Sequence, residues 1–291
     1  MTALLLLDLL QLQDGIRCID CGALAVEGEQ KQTWTLLAEA GYAEVIGFEP
    51  LKEACDQLNS APDLPKSIKY LPYAIGDGKT HTLRVTNLPM TSSLYEPARA
   101  TLDLFSNLGE VTQVVNHQDV ETQRLDDIAD LGRIDFMKLD IQGAELMALQ
   151  NATNTLKGTS VIQCEVEFVE LYENQPLFAD IDAFLRSQGF CFLKFTYTLG
   201  RPFRPLVINN DPNLPISQTL WGDAVYVKDF RLRHQWEDRI LQSAAYILHE
   251  FYEGFDLAHL FVQELDRRHG TNRSSDYLSN FLGISSESTS G

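Results

Sequence analysis

The chain has 291 residues, 44% apolar and 22% charged, an ordinary globular composition close to the size of about 250–300 residues at which a single hydrophobic core stops growing. One large domain with an appendage is therefore the expectation. Acidic residues outnumber basic ones 41 to 23, and the formal charge of −18 repels phosphate backbones and anionic lipid surfaces, which sets nucleic acid and membranes aside as partners.

Residues 3–10 form an apolar run, but Asp8 interrupts it and no basic residue precedes it, so it reads neither as a signal peptide nor, being too short, as a membrane span. From residue 16 to about residue 195, short β-rich runs alternate with helical patterns. Strands are expected at 16–20, 44–48, 68–75, 134–140, 160–168, 190–195 and 224–228, and helices at 33–40, 51–58, 144–152 and 178–188. Several of the strands are apolar throughout, as strands covered on both faces are. The pattern predicts a doubly wound α/β fold with a mostly parallel seven-stranded sheet.

Residues 80–130 break this rhythm and read as an insertion over the mouth of the sheet, with short strands at 82–86 and 111–116 around a helix-like piece at 102–108. Pro202, Pro205, Pro212 and Pro215 punctuate a long loop, expected to act as a lid. On this reading residues 1–228 are the sheet domain, residues 229–284 a helical appendage, and residues 285–291 a Ser-rich disordered tail. The appendage carries apolar residues from Trp236 to Phe251 at helical spacing and a second helix at 257–265, which either dock on the sheet or pair with another copy of the chain.

The five cysteines are odd in number, and Cys164 and Cys191 fall inside apolar strands, which argues for free thiols and the cytoplasm. Cys18 and Cys21 form a CxxC, but no second cysteine pair or histidine cluster stands nearby to complete a metal site.

In such sheets the ligand sits beyond the carboxyl ends of the strands, where the strand order reverses. Asp20 and Gly22 follow the first strand and Glu49 ends the second. A carboxylate at Glu49 accepts both hydroxyl protons of a ribose, Gly22 lets the backbone approach a ligand, and Asp20 suits a cationic amino-acid group. The first turn carries no GxGxxG, and Glu27 in it would repel a pyrophosphate but not a sulfonium. A nucleoside without a pyrophosphate is the better match.

The segment FMKLDIQGAE, residues 136–145, resembles the central motif of the FkbM-type methyltransferases, roughly D-F-x-K-x-D-[VI]-[QE]-G-x-E. Around it stand Asp20-Cys21-Gly22-Ala23, Gly47-Phe48-Glu49-Pro50, Ala74-Ile75-Gly76-Asp77, Thr91-Ser92-Ser93-Leu94, Arg124-Leu125-Asp126-Asp127 and Glu165-Val166-Glu167-Phe168, in the family's order. The resemblance spans roughly residues 16–195. It implies a Rossmann-like class I methyltransferase that uses S-adenosyl-L-methionine, mostly to methylate oxygen on small metabolites or glycans. It places Asp20, Gly22, Ala23, Phe48, Glu49 and Pro50 around the cofactor, Ala74 and Ile75 beside its adenine, and Asp140 beside the reactive methyl. The first turn departs from the family's G-A-N-x-G, with Leu24 and Val26 in place of the Asn and the second Gly.

Methyl transfer is an in-line displacement, so positioning is the main task, and a base near the acceptor's proton adds about 10²- to 10⁴-fold. Asp140, Glu165, Glu167 and His117 are the candidates for that base, with His81 the other histidine of the insertion. Glu165 and Glu167 alternate along one strand face and need a polar site or a basic partner. Glu145 falls in the first turn of a helix, where its charge suits the macrodipole. Thr91, Ser92 and Ser93, with Gln142, are candidates to orient the acceptor. Two other readings stay open on the residues alone: a non-catalytic interaction protein on this fold, and a nicotinamide-dependent oxidoreductase.

Overall fold

The computed structural model describes residues 2–22 and 32–284. Among the described residues ten strands follow one another as β1 (Ile16–Cys21), β2 (Ala43–Phe48), β3 (Ile68–Leu71), β4 (Ala74–Ile75), β5 (Thr80–Thr86), β6 (Val114–Gln123), β7 (Phe136–Leu139), β8 (Val161–Glu167), β9 (Phe190–Gly200) and β10 (Thr219–Lys228). Seven of them form one sheet in the order β3-β2-β1-β7-β8-β10-β9. Strands β3, β2, β1, β7 and β8 are mutually parallel, and β10 runs antiparallel between β8 and β9. The order reverses between β1 and β7, which puts the ligand crevice above their carboxyl ends.

Alternation within the strands feeds two cores. Ile16 and Cys18 of β1, Phe136 of β7, Val161 of β8 and Val225 and Val227 of β10 face one side, and Ile19, Cys21, Met137, Ile162, Cys164, Ala224 and Tyr226 face the other. The CxxC is thereby split, with Cys18 and Cys21 on opposite faces of the sheet, and all five cysteines are free and buried.

Helices Glu145–Gln150, Thr153–Gly158 and Phe178–Ser187 cover the second face through Ala148, Leu149, Leu156, Ile181 and Leu185. The first face is covered by Thr2–Leu10, Thr33–Glu39, Asp238–Tyr252 and Phe255–His269. The C-terminal helices thus dock on the sheet, and Leu241, Ala244, Tyr246, Ile247, Phe261 and Leu265 are as buried there as any strand residue. Arg239 fastens them by donating to Asp135 at 2.6 Å and to the Gly15 carbonyl at 2.8 Å. Among the described residues no helix is long and apolar enough to cross a membrane.

Several boundaries differ from the expectation, each for a physical reason. The expected strand at 68–75 is two: Pro72 has no N–H for the ladder, so the chain leaves the main sheet after Leu71 and Ala74–Ile75 pairs with β6 instead. The second insertion strand starts at Val114 and not at 111, because Leu108–Val111 closes a helical turn, and it runs on to Gln123 through mostly exposed polar residues paired with β5. The helix-like piece is two short turns, Arg99–Leu102 and Leu108–Val111, separated by a buried Phe105. Strands β9 and β10 extend each other as a long hairpin, whose connecting loop is tied to the insertion by Phe203 against Phe105, ring centroids 4.4 Å apart, and by Arg204 N–H to the Leu104 carbonyl at 2.9 Å.

Candidate functional site

On the first face, the apolar residues at the strands' amino ends give way to polar ones at their carboxyl ends. Strand register explains how these polar residues meet. Cys21 is level with Phe48 and with Leu139, Leu139 with Cys164, and Glu165 with Asp223. One residue further on, Glu49, Gly22, Asp140, Glu165 and Asp223 form a row across the sheet, with Asp20, Lys138 and Gln163 in the row behind. A cavity of about 1150 Å³ opens over these residues, roofed by Phe251 and Tyr252 of the C-terminal helix and by Ser92 and Ser93 of the insertion. It exceeds the roughly 300–1,000 Å³ of a typical small-molecule pocket.

At the end near β2, Glu49 is 4% exposed and its Oε1 accepts the Leu51 N–H at 2.9 Å. Burial raises its pKa against the pull of that hydrogen bond. Phe48, Pro50, Tyr70, Tyr73, Ala74 and Ile75 line the same end. Gly22 has φ +89°, and a Cβ there would lie 1.8 Å from the Asp140 carbonyl oxygen, so the ends of β1 and β7 touch only because this residue has no side chain. Asp20 accepts the Trp34 indole N–H on Oδ2 at 3.1 Å, while its other oxygen is buried without a partner among the described residues. Burial raises the Asp20 pKa, opposed by Lys138 and Trp34. Phe136 packs against Trp34 and, edge-on, against Phe251, each at a 5.1 Å centroid spacing, and the two flanking rings line the cavity beside it.

The centre of the row is a set of carboxyls around one cation. Lys138 Nζ lies 2.9 Å from Asp140 Oδ2. Burial disfavours the Lys138 ammonium, but Asp140, Asp20 and Asp223 outweigh it and hold the side chain charged. Burial likewise pushes Asp140 up, and the Lys138 charge together with hydrogen bonds from Lys138 and Gln142 brings it below the usual carboxylate range. Gln142, at φ 54°, donates through Nε2 to Asp140 at 2.9 Å and to Glu165 at 2.8 Å, and its Oε1 accepts the Tyr172 hydroxyl at 2.9 Å. Burial and the neighbouring Asp140, Glu167, Glu145 and Asp223 charges push Glu165 well up, which favours its neutral acid beside an ionised Asp140.

The candidate residues read from the sequence separate clearly. Asp20, Gly22, Phe48, Glu49, Pro50, Ala74, Ile75, Asp140, Gln142, Ser92, Ser93 and Glu165 all line the cavity. Ala23, with Leu24, Val26 and Glu27, lies outside the described residues. Glu167 does not reach the cavity; it is buried one pair beyond Glu165 beside Gln175, where burial and Glu145 push its pKa well up. His117 is exposed on β6 opposite Arg84, also away from the cavity, because the polar stretch that carries it faces outward. His81 is held by Asp77 at 2.7 Å. Thr91 stands behind the wall, its hydroxyl bonded to Thr86, and the Ser93 hydroxyl donates to the Gln142 carbonyl at 2.6 Å, so both serve the architecture of the insertion. Glu145 caps its own turn, accepting the Ile141 N–H at 2.7 Å with a pKa raised to about 7, chiefly by burial.

Sequence reasoning missed Lys138 as the counter-ion, although it is the lysine of the central motif. It also missed Gln163, Tyr197, Trp221, Asp223 and Tyr252, all of which line the cavity. The signal for Asp223 was present: a lone acid preceding a run of apolar strand residues carries the same cost that singled out Glu165.

This architecture is that of class I, Rossmann-like methyltransferases, and the row of acids closing its first strands suits a nucleoside with a cationic amino-acid tail. A profile of the Methyltransferase FkbM domain matches residues 20–192, more than half of the chain, and the protein belongs to that family. The family's cofactor is S-adenosyl-L-methionine. The residues present fit it: a buried acceptor on Asp20 without a partner among the described residues, a Gly22 cradle that a Cβ would fill, and a Glu49 carboxylate with lone pairs left over. No functionally curated protein matches the chain. Similar solved structures include the magnesium protoporphyrin IX methyltransferase of Synechocystis PCC 6803 with bound SAM, 12% identical, covering 78% of each chain with a TM-score of 0.37. A TehB-like SAM-dependent methyltransferase of Corynebacterium glutamicum is 10% identical, covering 77% of this chain and 86% of that one, TM-score 0.33. The N-terminal domain of EvdMO1, solved in the presence of SAH and D-fucose, is 11% identical, covering 78% and 81%, TM-score 0.35.

Proposed function

We propose that this S-adenosyl-L-methionine-dependent methyltransferase methylates a hydroxyl oxygen of a small molecule or of a glycan. The observation that carries the reading is the row Glu49, Gly22, Asp140, Glu165 and Asp223 on the floor of one cavity, with room beyond a nucleoside end for a second molecule. When bound, the cofactor would supply an electrophilic methyl carbon with its sulfur as the leaving group. The chain's own work is to bind, orient and shield. Glu49 takes the ribose hydroxyls, Asp20 faces the cationic tail, and Ala74 and Ile75 flank the base. Asp140, locked by Lys138 and Gln142, remains an ionised acceptor of hydrogen bonds at the centre of the row. Free thiols on all five cysteines support a cytoplasmic setting.

The test is to incubate the protein with S-adenosyl-L-methionine carrying a ¹³C methyl and a panel of hydroxylated and amino acceptors, and to read the methyl carbon shift of any product. An O-methyl signal supports the reading. An N-methyl signal refutes the choice of oxygen, and cofactor binding without turnover across the panel would favour a non-catalytic protein on this fold.

A further inference from the structure

The family match ends at residue 192, yet one wall of the cavity is built from the chain beyond that point, by Tyr197, Leu199, Arg201, Trp221, Asp223 and Tyr252. This wall stands at the opposite end of the row from Glu49. β10 lies four strand spacings from β2, about 19 Å. It is therefore remote from the nucleoside end and faces the space left for an acceptor.

Its geometry is specific. Asp223 is 3% exposed, and its carboxylate is held from both sides, by the Gln163 amide at 2.5 Å and by the Tyr197 hydroxyl at 3.1 Å. Gln163 is fixed in turn by the Tyr252 hydroxyl, which donates to its Oε1 at 2.7 Å, so a residue of the C-terminal helix sets the orientation of the acid. Among the described residues no ion pair holds Asp223, and each of its oxygens keeps a lone pair to offer. The β9–β10 ladder slips register between Gly222 and Ala224, a bulge that brings Thr196 and Tyr197 against Asp223. A Cβ at Gly222 would lie 2.5 Å from the Tyr197 carbonyl oxygen, so the bulge needs the glycine. Beside it, the Arg201 guanidinium lies 4.9 Å over one face of the Trp221 ring, and its Nε is buried without a partner among the described residues.

Charge narrows the chemistry further. Among the described residues Asp20, Glu49, Asp140 and Asp223 line the cavity, with Glu165 favoured as its neutral acid, against Lys138, which Asp140 already engages, and Arg201. Phosphate and carboxylate groups on an acceptor would meet this acidic lining at a cost. An aromatic plate beside an oriented carboxylate suits a ring that is apolar on one face and hydroxylated at its edge.

We propose that Tyr197, Trp221 and Asp223 form the acceptor subsite and that it takes an uncharged polyhydroxylated ring, a sugar unit, stacked on Trp221 with one ring hydroxyl donating to Asp223. The inference rests on the methyltransferase reading. Asp223 is then a binding residue, and Tyr197, Gln163 and Tyr252 are positioning residues acting through it.

The experiment measures binding, not turnover. Saturation-transfer NMR of neutral methyl pyranosides (gluco, galacto, manno and fuco) is recorded on the full chain with S-adenosyl-L-homocysteine bound, alongside glucose 6-phosphate and glucuronate. At least one neutral glycoside is expected to bind and the two anions are not. Asp223→Asn is expected to weaken the glycoside by about tenfold or more through loss of a charge-assisted hydrogen bond, with the S-adenosyl-L-homocysteine affinity unchanged. Tyr197→Phe, a milder variant at a partly exposed position, is expected to weaken the glycoside less. Anions binding as well as neutral glycosides, no glycoside binding to a protein that binds S-adenosyl-L-homocysteine, or equal binding by Asp223→Asn would each overturn this inference and leave the methyltransferase reading intact. Failure of the unaltered protein to bind S-adenosyl-L-homocysteine would overturn that reading and this one with it.

Discussion

Replacing Lys138 by methionine removes, among the described residues, the cation at the centre of the carboxyl row while keeping most of the side chain's volume. Lys138 Nζ lies 2.9 Å from Asp140, and its side chain is 12% exposed. At an effective dielectric constant of about 20, a unit pair at that separation attracts by roughly 6 kcal/mol, and removing one partner of a buried pair costs about 3–5 kcal/mol. The cost depends on pH with a definite sign. In the native protein the Asp140 pKa is lowered, so its contribution is present above its unfolded pKa and lost as pH falls through the lowered one. In Lys138→Met, Asp140 and Asp20 lose their counter-charge and their pKa values rise. The folded variant then binds more protons than its unfolded chain, and its stability is lost as pH rises through those raised values. The stability difference between the two proteins therefore widens as pH rises from below the ordinary carboxylate pKa of about 4 through the variant's raised values, reaching about 3–5 kcal/mol. Urea denaturation of both proteins at each pH measures it. A difference below about 1 kcal/mol at the higher pH, or one that does not change with pH, would refute the electrostatic account.

Two further outcomes follow from geometry and burial. Gly22→Ala would force a side chain onto a backbone with φ +89° and against the Asp140 carbonyl; it should cost more than about 2 kcal/mol and abolish cofactor binding, and a melting curve matching the native protein's would contradict this. Lys228 is 2% exposed, with Nζ 2.9 Å from the Leu156 carbonyl, and burial lowers its pKa from 10.5 to about 8. Between those values the unfolded chain binds the extra proton, so stability rises with pH across that window, by up to about 3 kcal/mol. Lys228→Met should lack the rise, and parallel denaturation midpoints at about pH 8 and about pH 10 in the two proteins would argue against it.

The sheet was legible in the sequence because its parallel strands are apolar on both faces, and the turns after β1, β2 and β7 carry the residues that touch the cavity. What stayed hidden had physical causes. The far half of β6, His117 to Gln123, pairs with β5 up to Glu121 and with β4 at Thr122 and Gln123, and Val120 is its one apolar residue, so it carries no apolar period to read. Pro72 diverts the chain after β3, a local event inside what looks like one continuous run. The acceptor wall was missed because Trp221 and Asp223 stand in the extension of β10 ahead of its apolar stretch, next to a bulge that only the pairing reveals. Tyr252 enters the cavity from a helix whose period announced nothing beyond a buried face, and the docking of that helix on the sheet turns it into part of the site.

The central claim is that the carboxylate closing β2 grips the sugar of the cofactor. Calorimetric titration of S-adenosyl-L-homocysteine into the unaltered protein and into Glu49→Ala tests it most directly. Two charge-assisted hydrogen bonds of roughly 1.5–3 kcal/mol each predict a loss of at least about a hundredfold from micromolar affinity. Full affinity in the variant, with its fold intact, would contradict the account.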